Sequence, residues 1–134
     1  MTSLIAIEGI GPKNAEKLGR AGVRSVEALL EKGGAVKGRK ALSIEAGISE
    51  ALILEWVNRA DLFRVPGLGE EYSDLLENAG VDTVVELSKR RADNLRAAML
   101  EANVRKKLVR RMPSVEMVEG WIKAAKSLPR AVEY

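Results

Sequence analysis

The chain has 134 residues, 46% hydrophobic and 31% charged, a balance typical of globular rather than disordered proteins. It has no cysteine and no histidine, which excludes disulfides, thiolate nucleophiles and the commonest general base, so we expect a non-enzymatic protein without a cofactor or metal site. The net charge of +3 conceals basic stretches at 1–40 and 89–112 and an acidic stretch at 41–88, a segregation that favours an anionic partner.

The predicted secondary structure is helical throughout. Apolar residues recur with helical spacing, and Gly22 and Gly80 stand where a left-handed residue ends a helix. Helices are expected at residues 12–21, 25–31, 38–46, 50–63, 70–79, 84–90, 92–102, 105–111 and 115–127. The expected N-caps are Ser25, Ser49, Thr83 and Ser114. Because there is no signal-peptide pattern and no apolar stretch near the roughly 20 residues that span a bilayer, we expect a cytoplasmic protein without membrane contact.

An internal repeat organises the chain. Residues 7–29 align without a gap on residues 65–87, a period of 58, and eight of the 23 aligned positions are identical. Each copy ends in a helix with an apolar stripe around one tryptophan, Trp56 in the first copy and Trp121 in the second. Repeats of this length indicate that one supersecondary unit occurs twice.

The repeat predicts the organisation of the whole chain. The fold class is expected to be all-α, with two pseudo-twofold-related repeats packed into one compact domain over 1–134. Repeat one would cover 1–63 and contain a first hairpin at 7–12. Repeat two would cover 64–134 and contain a second hairpin at 65–70.

Two glycines bracket one apolar residue in each hairpin. In the first hairpin these are Gly9 and Gly11, and Pro12 follows at the expected helix start, where its missing N–H costs nothing. The free amides of Lys13 and Asn14 would then lie at a helix N-terminus, where the helix dipole also favours an anion. The third glycine and the preceding strand of a dinucleotide-binding motif are missing, so we do not predict a nucleotide site.

Each copy resembles the helix-hairpin-helix family, whose signature is an apolar-x-Gly-apolar-Gly turn followed by a helix with Ala and Leu at fixed offsets, here Ala15 and Leu18. The tandem layout is similar to a bacterial and archaeal helix-hairpin-helix family known mainly as a domain of unknown function, over nearly the whole chain. The resemblance implies non-sequence-specific DNA binding, in which hairpin amides meet phosphate oxygens and nearby Lys or Arg add a salt-dependent attraction. It assigns these contacts to Gly9, Gly11, Lys13, Asn14 and Lys17.

The second copy departs from the family pattern. Glu70 and Glu71 stand where a phosphate would approach, and Asp74 and Glu77 follow on the same helix. Carboxylates there interact with the helix dipole themselves and repel phosphate. We therefore expect DNA to bind the first hairpin and not the second, while the interpretation that either turn serves packing alone stays open.

A basic run in the second copy supports an anionic partner independently of the hairpins. It comprises Lys89, Arg90, Arg91, Arg96, Arg105, Lys106, Lys107, Arg110 and Arg111, of which Arg105, Lys106 and Arg110 are predicted nucleic-acid contacts. A merely solvated face is the alternative interpretation. The second functional hypothesis is a protein-interaction or scaffold module, in which the acidic stretch of one molecule meets the basic stretch of another and self-association weakens with salt.

The first hairpin lacks a full helix ahead of it. Residues 50–63 precede the second hairpin, whereas their repeat-mate at 115–127 has no hairpin after it. We therefore expect the C-terminal helix to pack on the first hairpin, with Trp121 near Ile10 and Leu18.

Overall fold

The computed structural model describes residues 2–134, which form helices and turns without a strand. The chain divides into two compact units. Unit one comprises the described residues up to Asp61 together with Arg130–Tyr134, and unit two comprises Leu62–Pro129. The all-α class predicted from the sequence is confirmed, whereas the pseudo-twofold relation and the single domain stay predictions.

Unit one holds the first three helices and most of the fourth. A 3-10 turn at Leu4–Ala6 is followed by α1 (Pro12–Arg20), α2 (Val26–Gly33), α3 (Val36–Ala46) and α4 (Glu50–Leu62). Helix α3 packs against both α1 and α2, and the 3-10 turn packs against α1. The largest fully buried side chains of this unit are Ile7, Ile10, Leu18, Leu29, Ile53 and Trp56.

Unit two holds the remaining helices, α5 (Gly69–Asn78), α6 (Val84–Ser88), α7 (Ala92–Lys106) and α8 (Val115–Ser127). Helix α8 packs against α6 and α7, and α5 packs against α7. Their apolar faces form one buried cluster, which includes Leu68, Leu76, Leu87, Leu95, Met99, Val118, Trp121 and Ile122.

The four predicted N-caps are confirmed. Each hydroxyl accepts an amide N–H from the residue three positions further on, which satisfies one of the donors left free at a helix start. The acceptors are Ser25 (3.1 Å), Ser49 (3.2 Å), Thr83 (3.2 Å) and Ser114 (3.1 Å). These caps fix the starts of α2, α4, α6 and α8 from local sequence alone.

The N-terminal residues are anchored to the start of α2. The backbone N–H and the hydroxyl of Thr2 donate to the carboxylate of Glu27 at 2.9 and 3.0 Å, and the N–H of Val26 donates to the Thr2 carbonyl at 2.9 Å. The hydrogen bond from the Thr2 backbone is the main reason why the pKa of the Glu27 carboxyl lies below its usual value, because it favours the charged form.

A buried arginine fixes the C-terminal residues in unit one. Arg39 is 5% exposed, and its Nη1 donates to the carbonyls of Gly33 and Gly34 at 2.8 Å each. Its Nη2 donates to the carbonyl of Glu133, whose own N–H donates to Gly34 at 2.8 Å. A buried guanidinium needs such acceptors. Arg39 therefore acts as an internal clasp, a role that the sequence analysis did not predict.

The expected packing of the C-terminal helix on the first hairpin is wrong. Trp121 lies in the core of unit two, with its ring centroid 5.1 Å from that of Tyr72, and a Cβ at Gly67 would lie 3.9 Å from its Nε1. Within unit one, a Cβ at Gly9 would lie 3.5 Å from Nε1 of Trp56. Each tryptophan helix thus contacts the hairpin of its own unit.

The helix predicted at 105–111 is also wrong. Helix α7 runs through Arg105 and ends at Lys106, and Lys107 adopts a left-handed conformation with φ of +50°. The side chain of Asn103 accepts the N–H of Val109 at 2.9 Å and donates to its carbonyl at 3.2 Å. These two bonds hold the chain in a turn, because a side chain that pairs with backbone groups competes with the helix.

Candidate functional site

The first hairpin presents its backbone to solvent while one apolar residue anchors it. Ile10 is fully buried, and its N–H donates to the Ile7 carbonyl at 3.2 Å. Gly9 has a φ of +95°, a conformation that favours glycine, and it is exposed together with Gly11. Pro12 opens α1 at the first helical position, as predicted. The anchor points inward, so the glycine edge of the turn faces outward.

Free donors and free cations meet at the start of α1. The first intrahelical bond is donated by Ala15 to the Gly11 carbonyl at 3.0 Å, so the N–H groups of Lys13 and Asn14 have no partner within the helix. The side chains of Lys13 and Lys17 lie one turn apart on one helix face. Both are exposed, and neither forms an ion pair among residues 2–134. This arrangement can hold an anion such as a phosphate oxygen.

The predicted contact residues divide between the two units. Gly9, Gly11, Lys13, Asn14 and Lys17 come together in the first hairpin of unit one. In unit two, Arg105 and Lys106 occupy the last turn of α7, and Arg110 lies in the segment between α7 and α8. All three of these cations are exposed.

The second hairpin is also anchored by one buried apolar residue, but acidic residues follow it. Leu68 is buried like Ile10, and Gly67 has a φ of +79°. Glu70 and Glu71 occupy the first turn of α5, as predicted, and both are exposed. The fully buried Ser73 donates its hydroxyl to the Gly69 carbonyl at the start of the same helix. The carboxylates give this helix N-terminus a negative charge that repels phosphate.

Two cations lie at the other ends of α1 and α5, a position that the sequence analysis assigned to neither. Lys32 Nζ donates to the carbonyl of Ala21 at 3.2 Å, just past the last residue of α1. In unit two, a Cβ at Gly80 would lie 3.9 Å from Arg90 Nη1. Lys32 and Arg90 are 58 positions apart, which equals the repeat period. Extending the alignment three residues beyond Leu29 would therefore have paired them. Cations at helix C-termini offset the negative end of the dipole.

Two further findings on the described residues concern membrane-spanning helices and clusters of metal ligands. No helix among them combines the length and apolar character that crossing a bilayer requires. Within the same residues, no three acidic side chains come together as metal ligands.

The fold defines an all-α protein whose two units each carry a glycine-bracketed hairpin at a helix start. The chain belongs to the family described as domain of unknown function (DUF4332), whose model matches residues 8–128. No curated protein and no solved structure matches the chain.

Proposed function

We propose that this is a non-enzymatic helix-hairpin-helix protein that binds DNA without sequence specificity through its first hairpin. The observation that carries the proposal is the coincidence of unpartnered amides at Lys13 and Asn14 with the unpaired ammonium groups of Lys13 and Lys17. The nearby Arg20 is already paired with Glu16 at 2.6 Å, which leaves the two lysines as the available charges on α1.

In this proposal the hairpin amides fix the position of a phosphate and the lysines supply the salt-dependent attraction. Arg105, Lys106 and Arg110 would add further phosphate contacts from unit two. In this proposal all of these groups contact phosphates and none contacts a base edge, so binding would have no sequence preference.

A DNA titration at several salt concentrations tests the proposal. Replacing both lysines, Lys13→Glu with Lys17→Glu, should weaken binding several-fold because it removes two phosphate partners and introduces repulsion. The slope of log affinity against log salt should become shallower by about one unit for each lost contact.

The matched control is Glu70→Gln with Glu71→Gln in the second hairpin, which should leave DNA affinity nearly unchanged. Absence of DNA binding by the unmodified protein at low salt would refute the proposal. A marked gain of affinity in the control variant would contradict the assignment to the first hairpin, because it would show that phosphate approaches the carboxylates of the second.

A protein-interaction role is the second candidate, and one observation favours it. Leu100 and Val104 lie one turn apart on α7 and are 44% and 71% exposed, beside the cations at the end of the helix. Exposed apolar side chains flanked by charges are typical of protein contacts. Sizing measurements at low and high salt would distinguish this role, because self-association through charged surfaces weakens with salt.

A further inference from the structure

A second candidate site lies within unit two and shares no residue with the proposed DNA contacts. It is an open groove of about 610 Å³ between the start of α7 and one face of α8. This volume falls in the range of about 300–1,000 Å³ that is typical of small-molecule sites. Its charged lining residues are Arg90, Arg91, Asp93, Glu119, Lys123 and Lys126.

Positive charge predominates in this groove. Arg91 is paired with Asp93 at 3.3 Å, so these two charges offset each other. Among the residues that the structure describes, Arg90, Lys123 and Lys126 form no ion pair. Three unpaired cations around one concave surface attract an anion, and Glu119 is the single unpaired carboxylate among the lining residues.

The rest of the lining is apolar. Ala92 and Val115 are half-buried, and Ile122 is 6% exposed. Among the described residues that line the groove none is aromatic, so they offer no ring on which a nucleic-acid base could stack. An apolar floor beneath unpaired cations instead suits a ligand with one charged end and one apolar body.

We propose that this groove binds a small organic anion with an apolar body. Its carboxylate or phosphate group lies against Lys123, Lys126 and Arg90, and its apolar part lies over Val115 and Ile122. The site is separate from the first hairpin, so the inference does not depend on the proposed DNA binding.

The test uses the full chain and the fluorescent probe 8-anilinonaphthalene-1-sulfonate, which combines a sulfonate with an apolar ring system. We expect saturable binding at one site per chain. Octyl phosphate should displace the probe at a concentration about tenfold lower than either inorganic phosphate or octanol, because only octyl phosphate satisfies both parts of the groove.

Two substitutions should change the affinity in opposite directions. Lys123→Gln with Lys126→Gln should weaken octyl phosphate binding about five- to tenfold, because it removes two of the three unpaired cations while exposed charge pairs each contribute modestly. Glu119→Gln should strengthen it, because it removes the unpaired carboxylate. The control Lys37→Gln with Lys40→Gln neutralises two exposed lysines at the same spacing on α3 and should have no effect.

Three results would overturn the groove proposal: no saturable probe binding, equal displacement by inorganic phosphate, or equal affinities in the groove variants and the unmodified chain. The Lys13→Glu, Lys17→Glu variant separates the two proposals. It should lose DNA affinity and retain probe binding, so failure of one site is distinguishable from failure of the other.

Discussion

At the scale of single residues, the close approach of two backbone segments limits which side chains unit one can accommodate at position 34. Gly34 follows α2 with an ordinary helical φ of −63°, so any residue could adopt its backbone conformation. The C-terminal segment nevertheless passes so near that a Cβ there would collide with the carbonyl oxygen of Ala131. Arg39 holds this contact in place by donating to Gly34 and to Glu133. Glycine is required here for space and not for conformation.

Gly34→Ala should therefore destabilise the protein by about 1–3 kcal/mol, the usual cost of overpacking, because the clashing atom is backbone and cannot rotate away. The measurement is chemical denaturation. Gly120→Ala is the control: it lies within α8 with nothing near its Cβ position, so it should raise stability by about 0.5–1 kcal/mol. Equal effects of the two substitutions would contradict the close approach of the C-terminal segment to Gly34.

At the scale of elements, the end of α7 sets the position of the basic residues that follow it. The side chain of Asn103 pairs with both backbone groups of Val109, and Lys107 turns the chain with a positive φ. Arg110 consequently lies in an irregular segment, whereas Arg105 stays on the helix. The basic run is thus split between two conformations and does not form one helical face.

Asn103→Ala should lower stability by about 1–3 kcal/mol, because it leaves the partly buried backbone groups of Val109 without partners. Thermal unfolding followed by circular dichroism measures the change. Asn94→Ala, at an exposed position of the same helix, should stay within about 0.5 kcal/mol of the unmodified protein. A loss of similar size at Asn94 would contradict the assignment of the effect to the Asn103 bonds, because helix propensity favours alanine at both positions.

At the scale of the whole molecule, each unit has its own buried tryptophan. Trp56 is 1% exposed in unit one, and Trp121 is 5% exposed in unit two, where it packs with Tyr72. Each lies beneath the hairpin of its own unit. A core substitution should therefore act first on the hairpin of the unit that contains it.

Trp121→Ala should lower the free energy of unfolding by about 3–5 kcal/mol, the typical loss for a buried tryptophan. Hydrogen exchange followed by mass spectrometry should show the earliest loss of protection in α5 to α8. Trp56→Ala should show the converse, with the first loss around α1. If Trp121→Ala exposed the first hairpin before α5 to α8, the packing expected from the sequence would be correct after all.

The sequence determined the features that depend on neighbours a few positions away. The all-α class follows from helical spacing, and the caps at Ser25 and Thr83 follow from one hydroxyl and an amide three residues on. The carboxylates of the second hairpin, Glu70 and Glu71, also lie at the helix start where the repeat placed them. Such features need no knowledge of the rest of the chain.

The tertiary structure decided everything that joins distant residues. Arg39 and Glu133 are 94 positions apart, and no local pattern marks either as half of a clasp. The apolar stripe around Trp121 predicted burial but could not specify which hairpin it would cover. The groove beside Lys123 likewise arises where α7 and α8 meet. The spacing of apolar residues shows that a helix has an apolar face. Which other element covers that face depends on packing between residues that are far apart in sequence.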